Sequence, residues 1–387
     1  MTKSSPNEII KVSHFVGLSG LGGVQRNFVE YINSQSDLDN GLLHKVYTLG
    51  KVDLQYKILA EVYNVKNLKN LFSLVLDIVS KDNIVHFYNN LTSLKVAVFL
   101  FLLPVNNLIL HERGTIWNFP SSRKMLLKFV AWKAHLILAN SNATKTMLEQ
   151  KFSIPSEKIK VLHNGIYVPT KHTKKITRDS STLFRLGFIG RLDTPKGVHV
   201  LIDAMRILGG NDIKLIIAGD GALEDNLKEQ AYNIENISFI GRVAEPYSFL
   251  NSIDLLVVPS IREPLGNVCL EAGLCKVPVL AANIDGLPEI IEDKISGELI
   301  DATDEVSVQL SKGSVSLPEF VVDPISNQLR PPKQINPSLL ARKILKLSLE
   351  PDNLKHYAEK LHDKVVKYFN IQRYGKELHT IYYEIKQ

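Results

Sequence analysis

Asp254-Leu255-Leu256-Val257-Val258-Pro259-Ser260 is an apolar run closed at both ends by polar residues. Its length and branched side chains predict a strand covered on both faces, as in a parallel sheet. Pro264 and Gly266 break the pattern, and a helix is expected to start near Asn267. A strand, a tight turn and a helix N-terminus make an anion site, because the first backbone N–H groups and the helix dipole both favour negative charge there. Two carboxylates flank this turn, Glu263 in the loop and Glu271 in the helix. On one continuous helix they would stand about 12 Å apart, but a bend at Pro264 and Gly266 can aim both at one ligand.

The same strand-then-helix grammar runs through the chain. Ile9–Val16 predicts a first strand, Gly17-Leu18-Ser19-Gly20-Leu21-Gly22-Gly23 a glycine loop, and a helix follows from about Val24. Gly22 and Gly23 let a phosphate approach the backbone, although the Gly-x-Gly-x-x-Gly dinucleotide fingerprint is not met. Further strands are expected at Lys45–Leu49, Ile84–Phe87, Asn107–Leu110, Leu136–Ala139 and Ile159–Leu162, with helices such as Leu68–Ser80 and Thr92–Leu103 between them. Polar Tyr167–Ser181 has no periodicity and is the expected linker. Leu186–Gly197 then opens a second alternating domain, whose first helix places Val198, Leu201, Ile202, Met205 and Leu208 on one face. A chain of 387 residues suits two domains, and the alternation makes each a doubly wound α/β sheet that binds ligands at the carboxyl ends of its strands.

Charge and cysteine narrow the function classes. Residues 1–170 carry 19 Lys and Arg against 11 Asp and Glu, and the remainder 27 against 29. A basic N-terminal half can approach an anionic surface, but no nucleic-acid recognition module accompanies it, so no nucleic-acid partner is expected. Phe119–His135 interleaves Arg123, Lys124, Lys128 and Lys133 with Met125, Leu126, Leu127, Phe129, Val130 and Trp132. Such a helix can lie in a membrane interface or pack on the sheet with a solvated outer face. The two cysteines, Cys269 and Cys275, share one predicted helix and have neither disulfide nor zinc spacing, so both are expected to be core thiols in a reducing compartment. The N-terminus lacks the apolar core of a signal peptide, and Val96–Val105 is too short to span a bilayer. Asp37-Leu38-Asp39 is expected to be a surface turn rather than a metal motif.

Two further groups bear on chemistry. Arg191 and Lys196 occupy the mouth of the loop after the second domain's first strand, where a guanidinium and an ammonium suit a diphosphate. His86, His111 and His163 fall near strand ends, and His111 is the best functional candidate because its loop, His111-Glu112-Arg113-Gly114, begins where a sheet ligand would lie.

The stretch Glu263-Pro264-Leu265-Gly266-Asn267-Val268-Cys269-Leu270-Glu271-Ala272 resembles the signature of the family-four (group 1) retaining glycosyltransferases. Gly190-Arg191-Leu192, Lys196-Gly197, Gly22-Gly23-Val24-Gln25-Arg26 and Gly286-Leu287-Pro288-Glu289-Ile290 match other motifs of that family. The resemblance covers nearly the whole chain and is most specific over residues 187–300. It implies the GT-B fold: two facing Rossmann-like domains, here 1–170 and 181–370, with a nucleotide-diphosphate sugar in the cleft and a C-terminal helix at about 371–387 crossing back to the first domain. It implies that His111, Glu263, Arg191 and Lys196 are catalytic, and that Gly22, Gly23, Arg191, Lys196, Gly266, Asn267, Val268 and Glu271 hold the donor. Glu271 would bind the ribose hydroxyls, Glu263 would face the donor sugar, and His111 would face sugar and acceptor. The Phe239–Val243 segment would lie beside the nucleobase.

No cofactor and no metal are expected beyond the donor. The acceptor is expected to be a saccharide or a lipid-linked sugar of cell-surface polysaccharide, lipopolysaccharide or glycolipid synthesis. The protein would be cytoplasmic, with peripheral contact at the inner face of the plasma membrane through its N-terminal domain. A nucleotide-sugar epimerase or hydrolase on this fold, or a non-catalytic partner subunit, are the alternatives. Two features depart from the family. Glu112-Arg113-Gly114-Thr115-Ile116-Trp117 is unusual after the histidine, and 302–337 is an insertion, expected to form a surface hairpin over Ser307–Ser316 followed by an extended loop that could meet a partner or acceptor.

Overall fold

A computed structural model describes residues 9–20, 22–35, 41–168 and 183–387. Most of the expected linker and the Asp37-Leu38-Asp39 turn lie outside the described residues. The chain divides into two units, one of Met1–Tyr167 with Phe369–Gln387, the other of Val168–Tyr368.

The first unit is built on seven strands: β1 (Ile10–Phe15), β2 (Leu42–Thr48), β3 (Val62–Asn64), β4 (Asn83–Tyr88), β5 (Leu108–Glu112), β6 (Leu136–Ala139) and β7 (Ile159–Val161). Between them run α1 (Gly23–Gln35), α2 (Leu68–Val79), α3 (Leu94–Phe101), α4 (Lys124–Lys133) and α5 (Asn142–Phe152). The strands lie in the order β3-β2-β1-β4-β5-β6-β7, all parallel. Every residue of β4 is buried, as a strand covered by helices on both faces must be. Three-residue β3 has too little alternation to be visible in sequence.

The C-terminal helix, Ile371–Lys386, completes this unit's core. Ile371, Tyr374, Leu378, Ile381 and Tyr382 are buried with Ile10, Val12, Tyr31, Ile84 and Ile109. Its entry is pinned by paired backbone bonds, Ile166 N–H to the Phe369 carbonyl at 2.7 Å and Ile371 N–H to the Ile166 carbonyl at 2.9 Å. Arg373 donates to the carbonyls of His163 and Asn164, both at 2.9 Å.

The second unit contains β8 (Phe184–Ile189), β9 (Ile213–Ala218), β10 (Ile237–Gly241), β11 (Leu255–Val258), β12 (Val279–Asn283), β13 (Glu298–Asp304), β14 (Val321–Asp323), β15 (Gln328–Arg330) and β16 (Gln334–Ile335). Its helices are α6 (Val198–Leu208), α7 (Glu224–Gln230), α8 (Pro246–Leu250), α9 (Asn267–Leu274), α10 (Leu287–Ile290), α11 (Pro337–Ser348) and α12 (Pro351–Tyr368). The main sheet runs β10-β9-β8-β11-β12-β13-β16, parallel except for β16, which is antiparallel to β13. All five apolar residues predicted for the inner face of α6 are buried.

The insertion differs from its expected form. Ser307–Ser316 contains no strand, and the hairpin is formed by β14 and β15. The alternation at 307–316 is not used for pairing, because its polar groups are taken by neighbouring loops: Ser307 N–H donates to Gln334 Oε1 at 3.0 Å and Val315 N–H to Asp193 Oδ1 at 2.7 Å. The hairpin turn is set instead by Asp323, whose Oδ1 accepts from the N–H groups of Ile325 and Ser326, and by Asn327 in the left-handed region. Val321 and Val322 are buried, so this hairpin is part of the unit's core.

Candidate active site

Strand order in the second unit reverses between β8 and β11, which places the crevice at their carboxyl ends. The loop after β8, Gly190–Gly197, and the loop after β11, Pro259–Gly266, meet there. The Pro195 carbonyl accepts from the N–H groups of Ile261 and Arg262, at 2.9 and 3.2 Å. Gly197, at φ +66°, lets the two loops close: a Cβ there would stand 2.0 Å from the Pro259 carbonyl oxygen.

This closure brings two of the sequence-predicted residues into contact. Lys196 Nζ lies 2.5 Å from Glu263 Oε2, and Ser260 Oγ donates to the same oxygen at 3.3 Å. Glu263 is buried and Lys196 is half-buried, so the pair sits at the floor of the crevice with the ammonium nearer to solvent. Gly266, at φ +100°, turns the chain into α9, where a Cβ would lie 2.7 Å from the Leu287 side chain. Asn267 and Val268 are the first two residues of α9, at the positive end of its dipole. Glu271 lies on α9, half-buried, close enough to Cys269 and Cys275 to raise both thiols further above their ordinary range than burial alone. Both cysteines are buried and free. Arg191 is exposed directly after β8.

Three groups carry site geometry that the sequence did not assign. Asp285 is buried, and its two oxygens accept from the backbone N–H groups of Glu263, at 2.9 Å, and Val322, at 2.7 Å. The Gly286 N–H returns a bond to the Glu263 carbonyl at 3.1 Å, and the Asp285 N–H donates to the Val322 carbonyl at 3.1 Å. Asp193 plays the matching part in the other loop, accepting from Thr194 N–H at 2.9 Å and Val315 N–H at 2.7 Å. The insertion is therefore bonded to the Gly190–Gly197 loop directly, through Val315 at Asp193, and to the Pro259–Gly266 loop by way of Asp285, through β14. Arg262 is the third. Burial lowers its pKa, partly offset by Glu263, Asp285 and Asp193, with Arg191 acting in the opposite sense. Asp193 and Asp285 directly adjoin the motif stretches, but each also bonds the insertion, at Val315 and Val322, which no motif describes.

In the first unit, Gly22 and Gly23 lie exposed at the start of α1. Tyr56 holds their loop, accepting from Gly22 N–H at 3.3 Å and donating to the Gly20 carbonyl at 3.2 Å. His111 departs from its expected place. It is the fourth residue of β5, 1% exposed, rather than the start of a loop. The strand continues because His111 and Glu112 pair with Leu138 and Ala139 of β6. The Glu112 carboxylate then caps the following turn, accepting from Gly114, Thr115 and Ile116 N–H and from the Thr115 hydroxyl. His111 ends a chain of imidazoles that is buried at His14, His86 and His111 and half-buried at His44. His44 Nδ1 lies 3.0 Å from His14 Nε2, Tyr88 Oη spans His14 and His86, and His86 Nε2 lies 3.3 Å from His111 Nδ1. Burial, then the Arg113 guanidinium and His86, hold His111 well below the ordinary imidazole range. His86 also meets the Tyr382 hydroxyl at 2.7 Å. Among the described residues, no three or more His, Cys, Asp or Glu side chains gather as a metal site.

Comparison with known proteins places this geometry. Residues 169–312 match the model of a family described as glycosyl transferases group 1. An uncharacterised glycosyltransferase of Methanocaldococcus jannaschii is 32% identical over 178 residues, 42% of this chain and 45% of that protein. The Campylobacter jejuni N-acetylgalactosamine-N,N'-diacetylbacillosaminyl-diphospho-undecaprenol 4-alpha-N-acetylgalactosaminyltransferase is 29% identical over 189 residues, 48% of this chain and 52% of that protein. These matches thus span about half the length of each relative. Among solved structures, Anabaena HepE in complex with UDP-glucose superposes with a TM-score of 0.71 at 20% identity, over 97% of this chain and 99% of that one. The two α/β units have the GT-B architecture, which a solved glycosyltransferase from Rickettsia africae shares with a TM-score of 0.71 at 19% identity, over 97% of this chain and 98% of that one.

Proposed function

We propose, for a chain whose residues 169–312 carry a group 1 glycosyl transferase domain, that the protein is a retaining glycosyltransferase acting on a nucleotide-diphosphate sugar. The observation that carries the reading is the contact of Lys196 with Glu263 at the carboxyl ends of β8 and β11. An ammonium held on a buried carboxylate is poised to exchange that partner for a diphosphate, and Arg191 adds a second cation beside it. The exchange would free the Glu263 carboxylate to accept from donor-sugar hydroxyls. The positive end of α9, at Gly266, Asn267 and Val268, supports the same phosphates, and Glu271 accepts from the ribose hydroxyls.

In this reading the bond from the sugar's anomeric carbon to the phosphate oxygen breaks. The acceptor oxygen bonds to that carbon on the same face, and the departing phosphate takes the acceptor's proton. Fixed cations stabilise the charge that develops on the leaving group, with no metal required. His111 enters this proposal as a residue that shapes the first unit's strand ends. The acceptor is a saccharide or lipid-linked sugar, and the protein works at the cytoplasmic face. HepE was solved with UDP-glucose, which makes that the first donor to test.

The test follows nucleoside-diphosphate release from UDP-, GDP- and ADP-sugars by the wild-type protein, Lys196→Ala and Glu271→Ala. Release from one donor, falling by about a hundredfold or more in both variants, is the expected result. A folded wild-type protein that neither binds nor turns over any donor would sink the reading in favour of a non-catalytic subunit.

A further inference from the structure

The outer faces of α3 and α4 are apolar where a solvated helix would be polar. On α3, Leu94, Val98, Phe101 and Leu102 recur at helical spacing and are all exposed, Phe101 at 67% and Leu102 at 72%. On α4, Met125 and Trp132 do the same, at 75% and 67%. The two stripes form one surface: the Phe101 and Phe129 ring centroids are 5.7 Å apart, and those of Phe129 and Trp132 6.1 Å. Lys133 Nζ ties the end of α4 to the Leu103 carbonyl at 3.1 Å. The opposite faces of both helices are already satisfied, with Val96, Ala97 and Leu100 of α3 and Leu127, Val130 and Ala131 of α4 buried. These exposed side chains are therefore surplus to the core, and an apolar patch of this kind marks a docking surface.

Charge identifies what docks. Between Asn83 and Lys133 the sequence contains one acidic residue, Glu112, and it is buried and engaged by backbone N–H groups. Lys95, Arg123, Lys124, Lys128 and Lys133 lie on or beside the two helices. A protein partner would have to be acidic at its rim and apolar at its centre. An anionic bilayer offers both at once, with headgroup charge outside and acyl chains beneath, and bulky apolar side chains on helices that also carry lysines, Lys133 lying 5.5 Å from the Trp132 ring centroid, match that profile. No helix among the described residues is long and apolar enough to cross a membrane.

We infer that α3 and α4 dock the protein in the plane of an anionic lipid surface, with Phe101, Leu102, Met125 and Trp132 entering the acyl boundary. This deepens the membrane-facing part of the proposed function, but its test does not depend on transfer activity.

The chain reports on its own docking. It has two tryptophans, of which Trp117 is fully buried and Trp132 exposed, so a change in emission on binding reports Trp132. The full chain is titrated with vesicles of phosphatidylcholine alone and of equimolar phosphatidylcholine and phosphatidylglycerol, following emission and co-sedimentation. A blue shift and co-sedimentation on the anionic vesicles, weakened by salt, are expected. The Phe101→Ser/Leu102→Ser and Lys95→Glu/Lys128→Glu pairs should each lower binding by about tenfold or more with unchanged unfolding temperatures, since all four sites avoid the core. Failure to bind anionic vesicles, or binding that both pairs leave intact, would overturn the inference. A dimer in solution that the Phe101→Ser/Leu102→Ser pair dissociates would overturn it too, by assigning the patch to a second copy. Vesicle binding by a protein that turns over no donor would leave docking standing and remove the transferase reading alone.

Discussion

Asp285→Asn exchanges one oxygen for an amino group at the joint between the Glu263 loop and the insertion. In the native protein both carboxylate oxygens accept from backbone N–H groups, those of Glu263 and Val322, within a fully packed site. Hydrogen bonds to a charged acceptor contribute about 1.5–3 kcal/mol each, against about 1 kcal/mol for a neutral one. The asparagine side chain can keep one of the two bonds in neutral form, and its amino group must face the other N–H as donor against donor. The second unit is therefore expected to lose about 3 kcal/mol, a fall of about 6–12 °C in unfolding temperature for a domain of this size. Glu263 then keeps at most a neutral bond to residue 285 beside the Gly286 N–H to its carbonyl, and a displacement of about 1 Å at such a residue costs about a hundredfold in rate. The assay pairs thermal unfolding with kcat and KM for donor turnover, and adds hydrogen exchange at the Glu263 amide. A positioning role predicts lowered kcat, little change in KM and faster exchange at that amide. Unchanged exchange and unchanged kcat in a variant that is merely less stable would refute it. Should the protein prove inactive, the exchange measurement still decides whether Asp285 holds the loop.

Two other perturbations test different parts of the structure. His14, His44, His86 and His111 are held below the ordinary imidazole value of 6.5, His44 at about 4, chiefly by burial. Below that ordinary value the unfolded chain binds more protons than the native one, so stability should fall as pH drops from about 6.5 to about 4. His44 alone should account for about 2 kcal/mol at pH 5, measured by urea unfolding followed through buried Trp117, and His44→Gln should flatten the profile; a midpoint indifferent to pH over that window would count against the buried neutral chain. Gly197→Ala should destabilise the second unit by at least about 2 kcal/mol in thermal unfolding, because it combines a positive φ with a contact on the Pro259 carbonyl; a neutral result would mean that the two loops do not close as described.

The sequence made the sheets legible because parallel strands buried on both faces leave long apolar runs, as at β4 and β11. It made the Glu263 and Lys196 loops legible because glycine and proline mark the turns that shape them. It misled where local pattern was overruled by distant partners. Ser307–Ser316 alternates like a strand but gives its N–H groups to Gln334 and Asp193. His111 adjoins a glycine-containing stretch like a loop residue, yet β6 extends the strand through it and Glu112. Asp285 and Asp193 adjoin the motifs, but their roles depend on residues 37 and 122 positions further along the chain, a pairing that spacing alone does not encode.

The helix that closes the first unit is encoded after the whole of the second unit. Until Ile371, Tyr374, Leu378 and Tyr382 are made, the inner faces of β1, β4 and β5 lack the cover they have in the finished protein. The second unit is complete in sequence at Tyr368 and can fold first, although it is encoded second. Synthesis order and folding order therefore run against one another, and a nascent chain must carry an open N-terminal sheet until the whole of the second unit has been made. Deleting residues 371–387 would spare every residue of the proposed donor loops in the second unit and still strip the first unit of part of its core.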